Sequence, residues 1–381
     1  MAAEILNIQR QIIFDESIAH YEAHAHLPYA SSTFNNSDEI RIAVQHQDVC
    51  LLPSKSTLHV YGKLTKSDGT AVSATTHIIN MTVCHMFEEI RYELNGVEID
   101  RNKNVGITSL MKGYTSLSPA QQNTLENSDY HKVVINAKHE LTLIRSNADL
   151  NAYIVATPAA GAHAEAVKIT LQKIEWIVPY VTMADKQKIE ALNYMTSDPA
   201  ISISFRAWEL YEYPLLPNTS KHIWAVKTST QLEKPRFVIL GFQTARKNDA
   251  TKNASVFDHC DIRNIKLFLN SQSYPYKNLN LNIANNQYAL LYDMYINFQI
   301  SYYNKEPEPL LTKKKFLEQA PLYVIDCSKK KNESLKSGPV DIRLEFESTN
   351  QFPAQTSAYC LIIHDRIVEY NPISSIVRKL I

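Results

Sequence analysis

The histidines best placed to bind a metal are His20, His24 and His26, in the segment AHYEAHAH near the N-terminus. Neutral imidazoles at such short spacing can ligate zinc. No fourth ligand lies nearby and the surrounding sequence is polar, so an exposed arm or a packing contact is the commoner explanation. The sequence leaves both interpretations open, and we assign it no metal ligand, no cofactor and no catalytic residue.

Carboxylates that could form an acid–base pair occur at Glu88 and Glu89, and again at Glu345 and Glu347. They take adjacent or alternate positions of predicted strands, as carboxylates on a solvated strand face do. General acid–base catalysis instead needs one carboxyl group with a perturbed pKa inside a pocket. The sequence contains no G-x-S-x-G, G-x-x-x-x-G-K or H-E-x-x-H pattern and only 8 glycines. These observations predict that the protein is not an enzyme.

Basic and acidic residues balance each other, with 39 lysines and arginines against 39 aspartates and glutamates. A neutral chain has no overall field that attracts nucleic acid or an anionic membrane. Two lysine runs, Lys313–Lys315 and Lys329–Lys331, could neutralise a few phosphates if they lined the inner surface of a shell. Solvated loops are the commoner explanation of such runs.

The chain has five cysteines, an odd number, and none of them forms a C-x-x-C pair. We therefore expect reduced thiols in a cytosol or nucleus. The N-terminal segment has no apolar signal-peptide core, and no run reaches the roughly 18 apolar residues of a membrane span. We expect no transmembrane segment and no secretion by a signal peptide. The cysteines are Cys50, Cys84, Cys260, Cys327 and Cys360.

Short runs of β-branched and aromatic residues that alternate with polar residues dominate the chain. Turn residues separate the runs at a spacing typical of a β sandwich or barrel. Helical patterns are few, at Val105–Tyr114, Asp185–Met195 and Asn286–Tyr303. The predicted strands are Glu39–Val44, Thr57–Lys63, Thr76–Val83, Glu89–Leu94, Glu140–Ile144, Val167–Val178, Ile201–Tyr213, His222–Thr228, Phe237–Thr244, Asn264–Leu269, Leu322–Asp326, Val340–Glu347 and Ala358–Glu369.

Tyrosine is abundant, with 21 residues, and several lie in the last helical pattern. Large rings with one polar tip suit interfaces between chains. They suit an ordinary core as well, so both interpretations stay open. The helical tyrosines are Tyr292, Tyr295, Tyr302 and Tyr303.

The second half of the sequence repeats features of the first half in the same order. A duplicated domain predicts such an order, although two unrelated sandwiches would share the same strand composition. Pro214 and Pro217 indicate a linker between the halves, because proline is unsuited to a central strand. The matching pairs are Ala43-Val44 and Ala225-Val226, LHVYGKL and FVILGFQ, Leu94-Asn95 and Leu269-Asn270, VKITL and VDIRL, and WELYEYPLLP and DRIVEYNPIS.

Three segments resemble a known family: KPRFVILGFQTARKND (234–249), the LNSQSYPY turn with the helix after it, and IHDRIVEYNP near the C-terminus. They are similar to double jelly-roll capsid proteins encoded by insect endogenous elements. That group is related to Polinton/Maverick-like elements and adintoviruses. More distant relatives are the major capsid proteins of virophages, large nucleocytoplasmic DNA viruses and tailless phages. The resemblance covers residues 35 to 375, and PRFVILGFQ is its most specific part.

The resemblance implies an all-β fold of two tandem eight-stranded jelly rolls with short crossover helices. The expected organisation is an N-terminal arm (1–36), a first jelly roll (37–213), a linker (214–220) and a second jelly roll (221–381). Three chains would form a pseudo-hexameric trimer, and trimers would tile an icosahedral viral or virus-like shell. The implied partners are other copies of the chain, a penton or minor capsid protein and weakly bound packaged DNA. The virion would be assembled in the nucleus or cytoplasm of the host cell.

A different function is also compatible with these observations. Jelly rolls serve as lectins, so a carbohydrate- or protein-binding module is the alternative. A domesticated host protein of viral origin would be a variant of the capsid hypothesis. The short loops between the predicted strands leave no large outer tower, which argues against receptor binding by this chain.

Overall fold

The computed structural model describes residues 18–30, 33–45, 50–121, 134–228, 235–270, 272–328 and 340–380. Strands dominate these residues, and short helices connect them. The helices are α1 (Thr82–His85), α2 (Val105–Ser116), α3 (Asp185–Met195), α4 (Ala289–Tyr303) and α5 (Lys313–Gln319). The strands are β1 (Ile18–His26), β2 (Glu39–Val44), β3 (Cys50–Leu51), β4 (Thr57–Lys66), β5 (His77–Ile78), β6 (Phe87–Leu94), β7 (Val97–Lys103), β8 (Val134–Ile135), β9 (His139–Arg145), β10 (Tyr153–Ile154), β11 (Val167–Met183), β12 (Ile201–Tyr213), β13 (Lys221–Thr228), β14 (Pro235–Thr244), β15 (Ile262–Leu269), β16 (Gln272–Tyr274), β17 (Tyr323–Asp326), β18 (Asp341–Ser348), β19 (Thr356–Tyr370) and β20 (Val377–Lys379).

Strand β2 shows how the sequence pattern forms a half-buried strand. Ile40, Ile42 and Val44 are buried on one face, and Glu39 and Arg41 are exposed on the other. β-Branched side chains pack well on such a pleated surface. The predicted bounds of β2, β12 and α3 are confirmed.

The predicted strand Thr76–Val83 is wrong for most of its length. Only His77–Ile78 pair in a strand, with β10, and α1 begins at Thr82. The Thr82 hydroxyl donates to the carbonyl oxygens of Ile79 (2.6 Å) and Ala152 (2.9 Å). Such local side-chain bonds offer the backbone an alternative to a strand ladder.

The first roll consists of two antiparallel sheets that pack face to face. One sheet has the order β1-β11-β3-β8, and β4 also pairs with β11. Strands β3 and β4 lie end to end, because β4 pairs with residues 167–177 of β11 and β3 with residues 180–181. The other sheet has the order β2-β9-β6-β7. The core between the sheets includes Ile42 and Leu143 from one side and Ile174 and Trp176 from the other.

The second roll repeats this plan, except that β14 takes the place of β3 and β4 together and that β20 is an additional strand. Its sheets have the orders β12-β19-β14-β17, with β20 on β19, and β13-β18-β15-β16. The pairs β2/β13, β6/β15, β7/β16, β9/β18 and β11/β19 therefore occupy equivalent positions. The expectation of two tandem rolls is confirmed at the level of sheet order.

Two of the five predicted sequence matches are wrong in this strand plan. VKITL lies in β11 and VDIRL at the start of β18, which belong to sheets in non-equivalent positions. WELYEYPLLP lies in and after β12, whereas DRIVEYNPIS lies in and after β19, the strand with which β12 pairs. Half-buried strands share the same alternating composition, so short matches can fall on strands that are not equivalent. The other three matches fall on equivalent strands.

The strand pairing differs from the predicted arm, rolls and linker at two places. Strand β1 lies within the predicted arm (1–36) but pairs with β11, in the position that β12 takes beside β19. This part of the predicted arm is therefore a strand with a counterpart, β12, in the second half. Strand β12, assigned to the first roll by sequence, pairs along its whole length with β19. Helix α3 lies between β11 and β12, which belong to different sheets.

Candidate functional site: the junction between the two rolls

The Leu-Asn turn performs the same task in each roll. Asn95 and Asn270 have positive φ angles of 49° and 52°, which asparagine tolerates better than most residues. The Asn95 N–H donates to Lys138 O (2.8 Å), and Asn95 Oδ1 accepts from the Lys138 N–H (2.7 Å). Asn270 makes the same two bonds with Asp341, at 3.0 and 2.8 Å. Each asparagine therefore holds its hairpin against the beginning of the adjacent strand of the sheet, which is β9 in the first roll and β18 in the second.

Helix α2 of the first roll is buried in the core of the second roll. Its apolar side chains join one cluster with residues of β14, α4 and β19. Burial of side chains of this size contributes on the order of 1.5–3 kcal/mol each. The two rolls therefore share a core at this junction. The α2 residues in the shared cluster are Ile107, Leu110, Met111 and Tyr114.

Helix α4 also supplies the hydrogen bonds that the end of α2 lacks. The last carbonyl groups of a helix have no partner within it. The Tyr295 hydroxyl donates to Tyr114 O (2.8 Å), and Gln299 Nε2 donates to Leu117 O (3.2 Å). The Tyr114 hydroxyl in turn donates to Ser255 O (2.8 Å). These bonds are buried, so the junction specifies a relative position of the rolls as well as burying surface.

The tyrosines of α4 belong to the core or pack against it. Tyr295 and Tyr302 are buried, and Tyr292 and Tyr303 pack against the same core. Burial raises the pKa of the Tyr295 hydroxyl well above its ordinary value. Of the two interpretations that the sequence left open, the structure supports the core.

A second contact joins the rolls on the side of β7. Leu94 and Ile99 of the first roll cluster with Ile203 and Val368 of the second. Arg366 Nη1 lies 3.1 Å from an oxygen of Asp100, a residue on β7. Burial raises the pKa of Asp100, and the neighbouring guanidinium opposes that change.

The N-terminal histidines lie on one face of β1, around a carboxylate and a tyrosine. Glu22 accepts from His20 at 3.0 Å and lies 3.3 Å from His24 Nε2. The His24 ring stacks on Tyr180 of β11 with 4.2 Å between centroids, and His26 Nε2 lies 3.2 Å from the Tyr180 hydroxyl. The hydrogen bond from His20 lowers the pKa of Glu22. In the part of the chain that the structure describes, no group of three or more His, Cys, Asp and Glu side chains could hold a metal ion.

The carboxylate pairs do not form a site together. Glu88 is exposed, but Glu89 is buried and accepts from Arg101 at 2.7 Å. The interpretation of Glu89 as part of a solvated strand face is therefore wrong, because this carboxylate is buried and pairs with an arginine of the neighbouring strand. Glu345 lies 3.4 Å from Arg343 on its own strand.

The first lysine run lies on a helix, α5, instead of in a loop. Lys313 Nζ lies 4.7 Å from the centre of the Tyr288 ring, and Lys314 Nζ lies 3.9 Å from Glu318. The second run, Lys329–Lys331, lies outside the described residues.

The five cysteines are free thiols. Burial, with Asp258 nearby, raises the pKa of Cys260 to about 12. A thiol with so high a pKa is a poor nucleophile. None of the described helices is both long and apolar enough to cross a membrane.

Two side-by-side rolls with one strand plan and a shared core define a double jelly-roll protein. A family model of the double jelly-roll-like domain matches residues 76–129 and 127–368. The chain belongs to this family.

Solved structures of viral proteins share the fold. A chain in the cryo-EM structure of the Sputnik virophage matches with a TM-score of 0.70 and 11% identity, over 99% of this chain and 91% of that one. A chain of the PBCV-1 virus capsid matches with a TM-score of 0.59 and 8% identity, over 98% and 99%. The mavirus major capsid protein matches with a TM-score of 0.55 and 9% identity, over 98% and 92%. No curated protein matches the chain.

Proposed function

We propose that the protein is the major capsid protein of an icosahedral viral or virus-like shell. The observation that carries the proposal is the pair of equivalent rolls held together by a shared core. The viral proteins named above share this fold, one of them a major capsid protein. The role is structural, without catalysis, and its place is the virion. An insect endogenous element as the source and the nucleus or cytoplasm as the place of assembly stay predictions.

The geometry suggests how one chain would tile a shell. Three chains around a threefold axis would present six similar rolls, so a trimer would fill a hexagonal position with near-equivalent contacts. This arrangement needs the two rolls to keep a fixed relative position, which the buried bonds of Tyr295 and Gln299 provide. A penton or minor capsid protein would fill the fivefold positions, and packaged DNA would bind weakly at most.

We place the boundary between the rolls at α3 (Asp185–Met195) instead of at residues 214–220. The proposal rests on the pairing of β1 with β11 and of β12 with β19. Each roll would then begin with an edge strand that pairs with its own last long strand.

Helix α3 is our proposed contact between copies of the chain. None of its side chains is buried, although Ile189, Leu192 and Tyr194 are large and apolar, with 58%, 48% and 60% of their surface exposed. Exposed apolar groups of this kind mark interaction sites in soluble proteins. A second copy that covers this helix would remove them from water.

Size-exclusion chromatography with light scattering tests the trimer. We expect a species of three times the 43.4 kDa chain mass. Leu192→Asp should shift the population towards the monomer, whereas Lys188→Asp, on the same helix, should leave it closer to the natural protein. A protein that stays monomeric at high concentration would contradict the proposed function, and a trimer that Leu192→Asp leaves intact would remove α3 from the interface alone.

A further inference from the structure

A cavity of about 450 Å³ lies between the rolls. Strands β6 and β7 and helix α2 line it from the first roll, and β12 lines it from the second. Its walls are rich in aromatic rings, including Tyr92, Trp176, Phe205 and Trp208. The volume falls within the roughly 300–1,000 Å³ of small-molecule pockets, which are mostly apolar with a few placed polar groups.

Two polar atoms of the lining residues are buried without a hydrogen-bond partner, Ser54 Oγ and Asn102 Oδ1. The amide nitrogen of Asn102 donates to Asp100 at 3.2 Å, which leaves its oxygen as an unused acceptor. Because both atoms have almost no accessible surface, a molecule in the cavity contacts mainly the apolar side chains of the wall.

The charged groups of the lining have partners within the protein. Asp100 pairs with Arg366 at 3.1 Å, and Arg206 lies 3.8 Å from Asp365. The Lys112 ammonium lies 5.1 Å from the centre of an indole ring in the wall. A charged ligand would disturb these contacts and would have to shed its own hydration. The lining therefore favours an uncharged ligand.

We propose that the cavity binds an uncharged small molecule that has an apolar ring system or chain. The apolar part contacts the aromatic walls. Because the walls come from both rolls, the bound molecule stabilises their relative position. The site is independent of the capsid function, since it depends only on the structure of one chain.

N-Phenyl-1-naphthylamine is a suitable probe, because it is uncharged and has apolar rings. Trp176 and Trp208 line the cavity, and Trp224, the third tryptophan of the chain, does not. Titration of the purified full-length protein should give saturable probe emission on tryptophan excitation, with one probe per chain. Trp208→Phe should lower the energy transfer more than Trp224→Phe does.

Two variants locate the site. Ser54→Phe adds a ring at a residue that lines the cavity, and we expect probe affinity to fall about tenfold or more. Ser204→Phe adds the same ring at an exposed position of β12 outside the lining, and should bind as the natural protein does.

Each result decides the proposal, provided that urea unfolding shows the variants to be folded. Absent or unsaturable emission would overturn it, as would unchanged affinity in Ser54→Phe. If Ser54→Phe fails to fold, the two tryptophan variants decide.

Discussion

The two rolls share a strand plan, but their equivalent strands β4 and β14 differ in how they are covered. In β4 the outward-facing side chains reach water, and Tyr61 is 48% exposed. In β14 almost every residue is buried, because Phe237 packs on Phe298 of α4 and Phe242 packs on Phe346 of β18. Helix α4 and the shared core thus turn a half-buried strand into a fully buried one. The equivalent strands are therefore half-exposed in the first roll and part of the shared core in the second.

Both strands carry a glycine at the matching position, Gly62 in β4 and Gly241 in β14, but the neighbours of the two glycines differ. A Cβ atom on Gly241 would lie 2.9 Å from side-chain atoms of both Leu322 and Phe257, which cover β14. A Cβ atom on Gly62 would instead approach Thr170 and Leu171 of the paired strand β11. Real Cβ atoms do not approach neighbours this closely, so both positions favour glycine.

Acid should destabilise the first roll most. Burial lowers the pKa of His85 and of His139, both in that roll, from 6.5 to about 4. The neutral forms stabilise the fold fully above pH 6.5, and that stability is lost towards pH 4 because the unfolded chain takes up protons first. Between pH 7 and 4.5 we expect a loss of about 2–3 kcal/mol for each histidine. Urea unfolding at both pH values measures it.

The control for the acid effect is the double variant His85→Gln, His139→Gln. It should be less stable than the natural protein at pH 7 but lose less between pH 7 and 4.5. An equal loss in the double variant would show that other groups cause the acid sensitivity.

Truncating an aromatic side chain on the outer face should be costly in β14 and mild in β4. Phe237→Ala should lower the free energy of unfolding by about 3–5 kcal/mol, because it opens a cavity against α4. Tyr61→Ala should cost less than about 1 kcal/mol, because the ring is half exposed. Urea unfolding of the two variants measures the difference. Similar losses would remove the contrast between the rolls.

The Leu-Asn turns should respond equally in the two rolls. Asn95→Ala and Asn270→Ala each lose the bond to the adjacent strand and place alanine at a positive φ angle, for about 1–2 kcal/mol in each case. Asn95→Ala also loses an exposed bond of 3.3 Å from Nδ2 to Ser375 O, which adds little. Asn→Asp at the same positions keeps the acceptor oxygen and should cost less. A loss in only one roll, measured by urea unfolding, would break the equivalence of the turns.

The sequence predicted the regular elements where one face is apolar. Alternation in β2 and β12 gave their bounds, as did the helical pattern of α3. The sequence did not predict strand β1. One face of this strand carries His and Glu residues, so the sequence lacks the apolar pattern by which the other strands were recognised. Its hydrogen-bonding partner, β11, lies far along the chain, and a local sequence pattern does not indicate so distant a partner.

The junction could not be predicted from local patterns. Tyr295 and Gln299 lie one helical turn apart on α4, which places them on one face, but their acceptors lie in the other roll. The burial of Glu89 depends likewise on Arg101, a residue of the adjacent strand. Contacts between residues far apart in the sequence form the junction, whereas the sequence resemblance was enough to predict the fold.

Cryo-electron microscopy of the purified protein would show directly whether three chains assemble into one capsomer. We expect particles or capsomers in which three chains show six similar lobes around a threefold axis, with each pair of lobes in one fixed arrangement. Isolated two-lobed chains at high concentration, or lobes that vary in relative position, would contradict it.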